Sequence, residues 1–491
     1  METIRQAQDA RLYAECLNGA LVVGEYIESI EGEGVKTVKL IESYCEALYK
    51  AVPGEADGGA LNKQLKKIEN SVITDLEPRL EMVFLPYRAS MWDSLESIYL
   101  AARDDPGCDA YVMPVPFYEK NPGGMLGQMH YDGDIFPQGI PITPWTEYDI
   151  DERRPDVVFT HYPYDNYSSN YSIDPLFYSE RLRERCELLV YVPYFVTFAN
   201  HVEEQYGWLP GILFAHKIIV QNETIRHSYI SHYQKFNDEN GLNERYGRAE
   251  DKFIALGSPK FDKVQNTKKE DCPLPCEWEK LIANPDGTRK KIILFNTHMF
   301  TWLNNAEQYF KKIRWVFDVF RERGDAVLWW RPHPNTELNF KTQRPELLDE
   351  YYAVVDEYRR EGFGIYDDTP DLHRAIAWSD AYYGDWSSLV AIYHMTGKPI
   401  MIWILSVLPD SANVSPLTPD INSINTLHEC RFYESDNINL INYVEHMKTA
   451  DTEYKTGLEN RRKEMALSLN AFNYGTAGRK ILGDVVYTMS S

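Results

Sequence analysis

The chain has 491 residues, of which 44% are hydrophobic and 25% are charged, and its formal net charge is −23. Such a length is too great for one hydrophobic core, so two or three domains are expected. The acidic balance argues against nucleic acid as a partner, because nonspecific binding needs a positive field that releases counterions. It also limits contact with an anionic membrane to a peripheral one at most.

Signals for metal binding and targeting are weak. Seven cysteines spread over this length are typical of reduced thiols rather than of a disulfide framework. Cys272 and Cys276 lie close together in "CPLPC", but no second pair at zinc-ligand spacing follows, so no metal site is predicted. The N-terminus is charged from its first residues, and the longest apolar run, "LLVYVPYFVTFA", is too short for a bilayer. We expect a cytoplasmic protein, with a peripheral position at the inner face of the membrane left open.

Residues 1–75 predict a helical region. "ARLYAECLNGALVVGEYIESI" and "VKTVKLIESYCEALYKAV" carry apolar residues at three- and four-residue spacing, as amphipathic helices do. "PGEADGGA" predicts a loop before the next helical piece. Because no chemical motif occurs here, we interpret the region as a dimerisation or docking element, and homo-oligomer formation stays open.

Residues 76–250 predict strands that alternate with helices or loops, which is typical of a parallel α/β sheet. The strands are expected in "EMVFL", "DAYVMPVPF", "PDVVFTHYPYD", "ELLVYVPYF" and "AHKIIVQN". Ser90 followed by Asp93 predicts the capping box of a helix after the first strand. "GMLGQMHYDGDIFPQGIPIT" interrupts the alternation and predicts a hairpin or a long loop over the sheet edge.

A second cycle of the same kind starts near Phe253 and predicts a domain over residues 251–450, followed by a helical tail over residues 451–491. Its strands are expected in "KFIAL", "KKIILFN", "AVLWW", "FGIYDD", "DAYYGD" and "PIMIWIL". The helix after the second of them places its apolar residues on one face, namely Phe310, Ile313, Phe317 and Phe320. Two cycles of similar size predict two doubly wound domains that face one another.

Polar residues follow successive predicted strands of the second domain, where open parallel sheets bind their ligands. They are His298, Arg331, His333, Asp367, Asp368 and the run from Asp385 to Ser388. "DWSS" starts a predicted helix, and the free N–H groups and partial positive charge of a helix start suit a phosphate. Ser387 and Ser388 add hydroxyl donors there, and simple helix capping by these serines is an equally open interpretation.

The prolines of "RPHP" fix the backbone around Arg331 and His333 at a strand end. A guanidinium can bind phosphate oxygens with two hydrogen bonds, and an imidazole can donate to a phosphate or transfer a proton near neutral pH. Opposite the "DWSS" helix start, the two side chains would complete a pyrophosphate cradle.

Three segments carry a family resemblance: "GSPKFD", "WWRPHP" and "SDAYYGDWSSLVAIYHMTGKPIM". In this order and spacing they resemble the CDP-glycerol glycerophosphotransferase family, the teichoic-acid glycerol- and ribitol-phosphate polymerases and primases of Gram-positive bacteria. The similarity covers about Leu256 to Leu405 and extends only loosely to the first domain. It implies a GT-B architecture, in which two Rossmann-type α/β domains face a cleft.

The resemblance also implies a reaction. CDP-glycerol or a related CDP-activated polyol would be the donor, a polyol-phosphate or glycan would be the acceptor, and CMP would leave after an acceptor hydroxyl attacks the β-phosphorus. No cofactor and no metal are expected, because arginine, histidine and helix N–H groups can carry the developing charge. The resemblance assigns His333 and Asp385 to catalysis, and it assigns Ser387, Ser388, Lys260 and Asp262 to the donor diphosphate. Arg331 and His298 are added to the diphosphate site because they follow strands at the same edge of the predicted sheet.

The sequence departs from the family in its first domain. The family usually has a Trp-His-Gly segment there, whose histidine is a candidate base, whereas "LLVYVPYFVTFANH" contains no His-Gly. His161 in "THYPYDNY" is the best substitute because it ends a predicted strand, and His201 and His216 are further candidates, with a structural role open for each. Two other functions therefore stay open: a GT-B glycosyltransferase that uses a UDP- or GDP-sugar, and a non-catalytic nucleotide-binding or scaffold protein.

Overall fold

A computed structural model describes residues 10–50, 58–76, 79–121, 123–197, 201–298, 303, 306–398, 400–402 and 476–490. The chain divides into two compact units, residues 1–79 and 80–491. The domain boundaries expected at 75 and 450 stay predictions, and position 450 lies outside the described residues. None of the described helices is both long enough and apolar enough to cross a membrane.

The first unit consists of helices, as its apolar spacing predicted. They are α1 (Ala10–Glu31), α2 (Lys36–Lys50) and α3 (Gly58–Asp75). The buried face of α2 carries Ile41, Tyr44 and Leu48, which belong to one apolar cluster with residues of the other two helices. Thr37 and Ser71 join α2 to α3 through a buried hydroxyl–hydroxyl hydrogen bond of 2.9 Å. Most of the loop expected in "PGEADGGA" lies outside the described residues.

The second unit is built on parallel sheets. In chain order its described strands are β1 (Leu80–Leu85), β2 (Cys108–Val112), β3 (Phe117–Lys120), β4 (Leu126–His130), β5 (Val157–Thr160), β6 (Tyr171–Ile173), β7 (Leu188–Tyr191), β8 (Lys217–Val220), β9 (Phe253–Ala255), β10 (Lys291–Thr297), β11 (Ala326–Pro332), β12 (Ile365–Tyr366), β13 (Ala381–Gly384) and β14 (Ile400–Ile402). The first parallel sheet has the order β2-β1-β5-β7-β8-β9, and the second has the order β12-β11-β10-β13-β14. The expected pair of doubly wound α/β domains is thus confirmed.

Helices cover the sheets on both faces. In chain order the described ones are α4 (Glu96–Arg103), α5 (Ile150–Arg153), α6 (Ser179–Arg183), α7 (Pro210–Phe214), α8 (Glu223–Asn240), α9 (Ala249–Lys252), α10 (Pro259–Asn266), α11 (Cys276–Ile282), α12 (Ala306–Arg321), α13 (Thr336–Gln343), α14 (Leu348–Glu361), α15 (Leu372–Trp378), α16 (Ser388–His394) and α17 (Ala477–Met489). Because both faces are covered, every residue of β5, β7 and β11 is buried, and these strands read as continuous apolar runs rather than as alternating ones.

Two local predictions in the first domain were wrong. The strand near Phe253 does not open the second domain, because β9 pairs in parallel with β8 and closes the first sheet. An apolar run predicts a strand but not which sheet it joins. The capping box at Ser90 and Asp93 does not form either: residues Ala89–Ser94 are a 3-10 turn, and α4 begins only at Glu96 without a side-chain cap.

A small antiparallel sheet, with the order β4-β3-β6, stands beside the first parallel sheet. The β3–β4 hairpin covers part of the segment for which a hairpin or long loop was predicted, so the hairpin interpretation is confirmed for Leu126–His130. In the second domain, Asp371 caps α15 by accepting the N–H groups of His373 and Arg374.

The last described helix, α17, packs on the first sheet. Its Ala477, Ile481 and Val485 are buried in one cluster with Phe84 and Trp92 of the first domain. The buried carboxylate of Asp262 in α10 accepts the N–H groups of Ala477 at 3.0 Å and of Gly478 at 2.8 Å, and also the hydroxyl of Ser97 at 2.8 Å. Asp262 therefore caps α17 from another element of the fold.

Asp262→Ala is expected to lower the free energy of unfolding by about 1–2 kcal/mol, the usual value of a helix N-cap. Amide hydrogen exchange along α17 should become faster, because the first N–H groups of that helix lose their acceptor. Asp262→Asn keeps one carbonyl oxygen and should show a smaller effect. Equal protection of α17 in the wild type and in Asp262→Ala would contradict this role.

Candidate functional site

The candidate site is the carboxyl edge of the second parallel sheet. At the central strand β10, Asn296 lies opposite Arg331 of β11 on one side and Gly384 of β13 on the other. The side-chain amide of Asn296 donates to the Arg331 carbonyl at 2.9 Å, and its oxygen accepts from the Ser387 hydroxyl at 3.2 Å. Asn296 thus joins "RPHP" to "DWSS", and the two segments lie on the same carboxyl edge of the second sheet, which is called the rim below.

Gly384 permits this close approach. Its φ is +151°, and a Cβ at this position would collide with the backbone of Asn296. A glycine is therefore required where β13 passes β10, immediately before "DWSS" leaves the sheet.

Arg331 forms an ion pair inside the protein, a contact that its predicted binding of the donor diphosphate did not include. Its side chain is 6% exposed, and its guanidinium lies 2.8 Å from the Asp367 carboxylate and donates to the Thr369 carbonyl. The charge is thus balanced inside the protein by Asp367, which follows the neighbouring strand β12. Because of this ion pair, Arg331 is expected to hold β11 to the turn after β12 rather than to bind a phosphate.

His333 lies at the rim with a defined tautomer. Its Nδ1 accepts the N–H of Asn335 at 3.1 Å, so the neutral ring carries its hydrogen on Nε2. The surrounding protein, mainly by excluding water and to a smaller degree through His298 and Arg88, lowers the pKa of His333 to about 3. The ring is half-buried, and its Nε2 has no hydrogen-bond partner among the described residues. His333 therefore presents a neutral N–H donor.

His298 and Asp385 organise the next part of the rim. The His298 ring meets the His333 ring edge-on, with 4.8 Å between ring centroids, and burial lowers the pKa of His298 to about 4. The buried carboxylate of Asp385 accepts the backbone N–H of His298 at 2.6 Å and the hydroxyl of Tyr309 at 3.2 Å. Asp385 thus positions the segment that leaves β10, and its catalytic role stays a prediction.

The serines of "DWSS" occupy the start of α16. Ser387 caps this helix by accepting the Leu389 N–H at 3.3 Å, as the capping interpretation predicted. Ser388 is exposed beside it, and the indole of Trp386 is 43% exposed. A polar and aromatic surface is therefore open to solvent next to His333 and His298.

Arg88 faces this rim from the first domain and was missed by the sequence interpretation. It follows β1, and its Nη1 donates to the side-chain oxygen of Asn335 at 3.0 Å. The guanidinium lies over the rings of Phe117 at 4.9 Å and Tyr171 at 4.6 Å, where cation–π attraction holds it. Within the described residues it forms no ion pair with a carboxylate, and its Nε has no partner. Open parallel sheets bind their ligands beyond the carboxyl ends of the strands, and this rule, applied to "FLPYRAS" after β1, would also have pointed to Arg88.

Lys260 lies in the junction between the two domains, not on the rim. Its ammonium is 2.5 Å from one oxygen of Asp93, and Nε2 of His373 is 2.9 Å from the other oxygen. All three side chains are 6% exposed. The buried carboxylate of Asp93 already balances the Lys260 ammonium, so Lys260 joins the two domains. Asp262 is likewise engaged within the protein, where it caps α17. Binding of the donor by Lys260 or Asp262 stays a prediction.

The histidines expected as substitutes for the family's base lie in the first domain. His161 is fully buried, and its Nε2 accepts the N–H of Tyr87 at 3.0 Å while Nδ1 pairs with the Ser94 hydroxyl at 2.9 Å. Burial and Lys260 lower the pKa of His161 to about 3. With both nitrogens occupied, His161 is expected to be structural rather than catalytic. His216 similarly accepts the N–H of Leu189 through Nδ1, and His201 is exposed.

Comparisons with known proteins bear on the fold. No family model matches the chain, and no curated protein matches it either. Among solved structures, a putative UDP-N-acetylglucosamine 2-epimerase from Listeria monocytogenes has a TM-score of 0.50 at 14% identity, over 84% of this chain and 97% of that one. The wall teichoic acid polymerase TagF has a TM-score of 0.49 at 13% identity, over 93% and 98%. MnaA of S. aureus with UDP has a TM-score of 0.44 at 13% identity, over 84% and 97%. With its two parallel sheets, the second unit has a GT-B-like fold.

Proposed function

We propose that this protein is a GT-B-type transferase that moves a glycerol-phosphate or related polyol-phosphate unit from a CDP-activated donor to a hydroxyl acceptor, in the synthesis of a cell-surface phosphopolymer. One observation carries the proposal: the neutral Nε2–H donor of His333 lies on the same sheet edge as the "DWSS" helix start. The resemblance of "GSPKFD", "WWRPHP" and "SDAYYGDWSS" to the CDP-glycerol glycerophosphotransferases supplies the donor class.

The side chains of the rim suit a diphosphate. His333 donates a hydrogen bond without carrying charge, and the hydroxyls of Ser387 and Ser388 lie at the next segment along the edge. Arg88 takes the place that was expected for Arg331, because its guanidinium forms no direct ion pair among the described residues, whereas Arg331 is paired with Asp367. The Asp132 carboxylate interacts with Arg88 electrostatically but is not bonded to it. A forked cation and neutral N–H donors together can stabilise the charge that develops on phosphate oxygens.

The proposed step forms one bond and breaks one. The acceptor oxygen bonds to the β-phosphorus, the bond from that phosphorus to the bridging oxygen breaks, and CMP leaves with the bridging oxygen. Hydrogen bonds from Arg88 and His333 would stabilise the phosphate oxygens during this exchange. The acceptor hydroxyl loses its proton in this step, and the proton passes to the phosphate of the departing CMP or to solvent. Among the described residues, no histidine of the first domain is assigned as the base.

The alternative functions differ in the donor that is bound. A GT-B glycosyltransferase would use the same edge for the diphosphate of a UDP- or GDP-sugar, and a scaffold protein would bind a nucleotide without turnover. A thermal-shift panel of CDP-glycerol, CDP-ribitol, CTP, UDP-sugars and GDP-sugars separates the donor classes. The proposal expects the largest stabilisation from the two CDP-polyols, and a clear preference for UDP- or GDP-sugars would contradict it.

Arg88→Ala is expected to weaken binding of CDP-glycerol by about tenfold, because a charge-assisted hydrogen bond to phosphate is lost. Arg88→Lys keeps the charge but not the fork and should lie between the wild type and alanine. Arg103→Ala, which removes an exposed arginine of α4, is the control and should bind the donor as the wild type does. Unchanged binding in Arg88→Ala would remove this residue from the site.

A further inference from the structure

Asn335 begins α13 but does not cap it. The residue occupies the N-cap position, and its side chain makes no capping hydrogen bond to the helix. Asparagine is among the residues most favoured at this position, because its side-chain oxygen can accept an N–H group of the first helical turn. Asn222 shows this usual arrangement at the start of α8, where its oxygen accepts the N–H of Ile225 at 2.9 Å. The side-chain oxygen of Asn335 is therefore used for something other than the helix.

This oxygen binds a cation of the first domain. It accepts a hydrogen bond from Nη1 of Arg88 at 3.0 Å, and the backbone N–H of Asn335 donates to Nδ1 of His333 at 3.1 Å. One residue thus contacts both the Arg88 guanidinium and the His333 ring, the two groups from different domains that are available to a phosphate. The two contacts can be separated, because a side-chain substitution removes the contact with Arg88 and keeps the N–H.

The neutrality of the acceptor distinguishes Arg88 from Arg331. The Arg331 guanidinium pairs with the Asp367 carboxylate at 2.8 Å, which balances its charge inside the protein. The Arg88 guanidinium meets an amide oxygen instead, while the rings of Phe117 and Tyr171 hold it at 4.9 Å and 4.6 Å. An amide oxygen orients a guanidinium without supplying a negative charge, so this contact leaves the cation available for an anionic ligand.

Further amides hold Asn335 in place. Nδ2 of Asn339 donates to the Asn335 carbonyl at 2.7 Å, and the side-chain oxygen of Asn339 accepts from Nδ2 of Asn170 in the first domain at 3.3 Å. Asn339 is 2% exposed. Tyr171, whose ring lies against Arg88, directly follows Asn170 in the chain. The start of α13 is therefore joined by neutral hydrogen bonds to both first-domain segments that form the surroundings of Arg88.

We propose that Asn335 is a positioning residue for an anionic ligand: its neutral side-chain oxygen directs the Arg88 guanidinium to the rim without neutralising it, so that Arg88 and His333 act on the same phosphate group. This role needs an amide, because a carboxylate at the same place would form an ion pair with Arg88. That the anion is the diphosphate of a CDP-activated donor rests on the proposed function.

Asn335→Asp tests the need for a neutral acceptor. CDP-glycerol and inorganic pyrophosphate are each titrated into the full chain by isothermal calorimetry. The new carboxylate pairs with Arg88 and repels the ligand, so each anion should bind at least about tenfold more weakly. Tm should not fall, because aspartate keeps an acceptor oxygen for Arg88 and is as favourable as asparagine at an N-cap. A purely structural role would instead leave binding unchanged, since the contact with Arg88 is retained.

The control for the added charge is Gln234→Glu on the exposed side of α8, which should bind both anions as the wild type does. A double-mutant cycle then shows whether Asn335 acts through Arg88. Asn335→Ala should weaken binding about threefold when Arg88 is present, and it should have no further effect in Arg88→Ala. Equal losses in the two backgrounds would overturn the positioning role. The cycle decides the question even if Asn335→Asp lowers Tm.

The two ligands separate this inference from the proposed function. If pyrophosphate binds and responds to Asn335→Asp while CDP-glycerol does not bind, the transferase proposal fails and the role of Asn335 stands. If CDP-glycerol binds the wild type and Asn335→Asp equally tightly, the role of Asn335 fails and the transferase proposal stands. A wild type that binds neither anion would contradict both.

Discussion

Replacing Asp93 by alanine is expected to lower the free energy of unfolding of the second unit by about 3–5 kcal/mol, because the Lys260 ammonium stays buried without its counter-charge. Asp93 binds Lys260 at 2.5 Å and His373 at 2.9 Å, and all three side chains are 6% exposed. This carboxylate joins the first domain to two elements of the second, so the effect should appear in the whole cooperative transition. Equilibrium unfolding in guanidinium chloride, followed by tryptophan fluorescence, measures it.

Two variants show whether the buried charge is the cause. Asp93→Leu combined with Lys260→Met removes both charges and should recover most of the lost stability. Asp104→Ala breaks an ion pair of 2.8 Å with Arg103 that is 46% and 65% exposed, and no measurable change is expected there. If Asp93→Ala were as stable as the wild type, the ion triad would not hold the two domains together.

The pH dependence of stability follows from the same triad. Burial raises the pKa of Asp93, but Lys260 and His373 more than offset this, and the pKa lies well below its ordinary value. A carboxyl whose pKa is lower in the folded state stabilises the protein above its unfolded pKa of about 3.9, and this contribution is lost as the pH falls below that value. The wild type should therefore lose more stability than Asp93→Asn on acidification through this range.

His333→Ala is expected to lower kcat for CMP release from CDP-glycerol by about 100- to 1,000-fold, the loss that follows removal of one donor to a developing oxyanion. His333 offers a neutral Nε2–H, because Asn335 occupies Nδ1 and the pKa is lowered to about 3. Gln can place an amide N–H near the same point, so His333→Gln should retain more activity than His333→Ala. His227→Ala on the exposed side of α8 is the control for the loss of a histidine elsewhere.

The pH–rate profile separates a hydrogen-bond donor from a proton-transfer group. A ring whose pKa is about 3 stays neutral throughout the neutral range, so His333 should add no limb to kcat between about pH 5.5 and 8.5. An acid limb near pH 6.5 that disappears in His333→Gln would show a titrating imidazole instead. That result would overturn the role proposed here.

Local sequence patterns predicted most of the fold. Apolar runs such as "IILF" and "VLWW" predicted buried parallel strands, and β10 and β11 are buried as expected. They also predicted that "RPHP" and "DWSS" share an edge, because the carboxyl ends of neighbouring parallel strands necessarily meet. The predicted sheet of β9 was wrong: β9 joins the first sheet, because strand pairing depends on a distant strand and not only on the residues of β9 itself.

The sequence by itself determined the alternation of strands and helices, the helical N-terminal unit and the edge at which polar residues gather, because each depends on periodicity and strand ends within a short stretch of chain. Only the tertiary structure decided which cation is available at that edge. Arg331 is neutralised by Asp367 after a neighbouring strand, Lys260 by Asp93 from 167 residues away, and Arg88 reaches Asn335 from 247 residues away. The burial and pairing of a charged side chain are set by groups brought close in space, which local sequence cannot reveal.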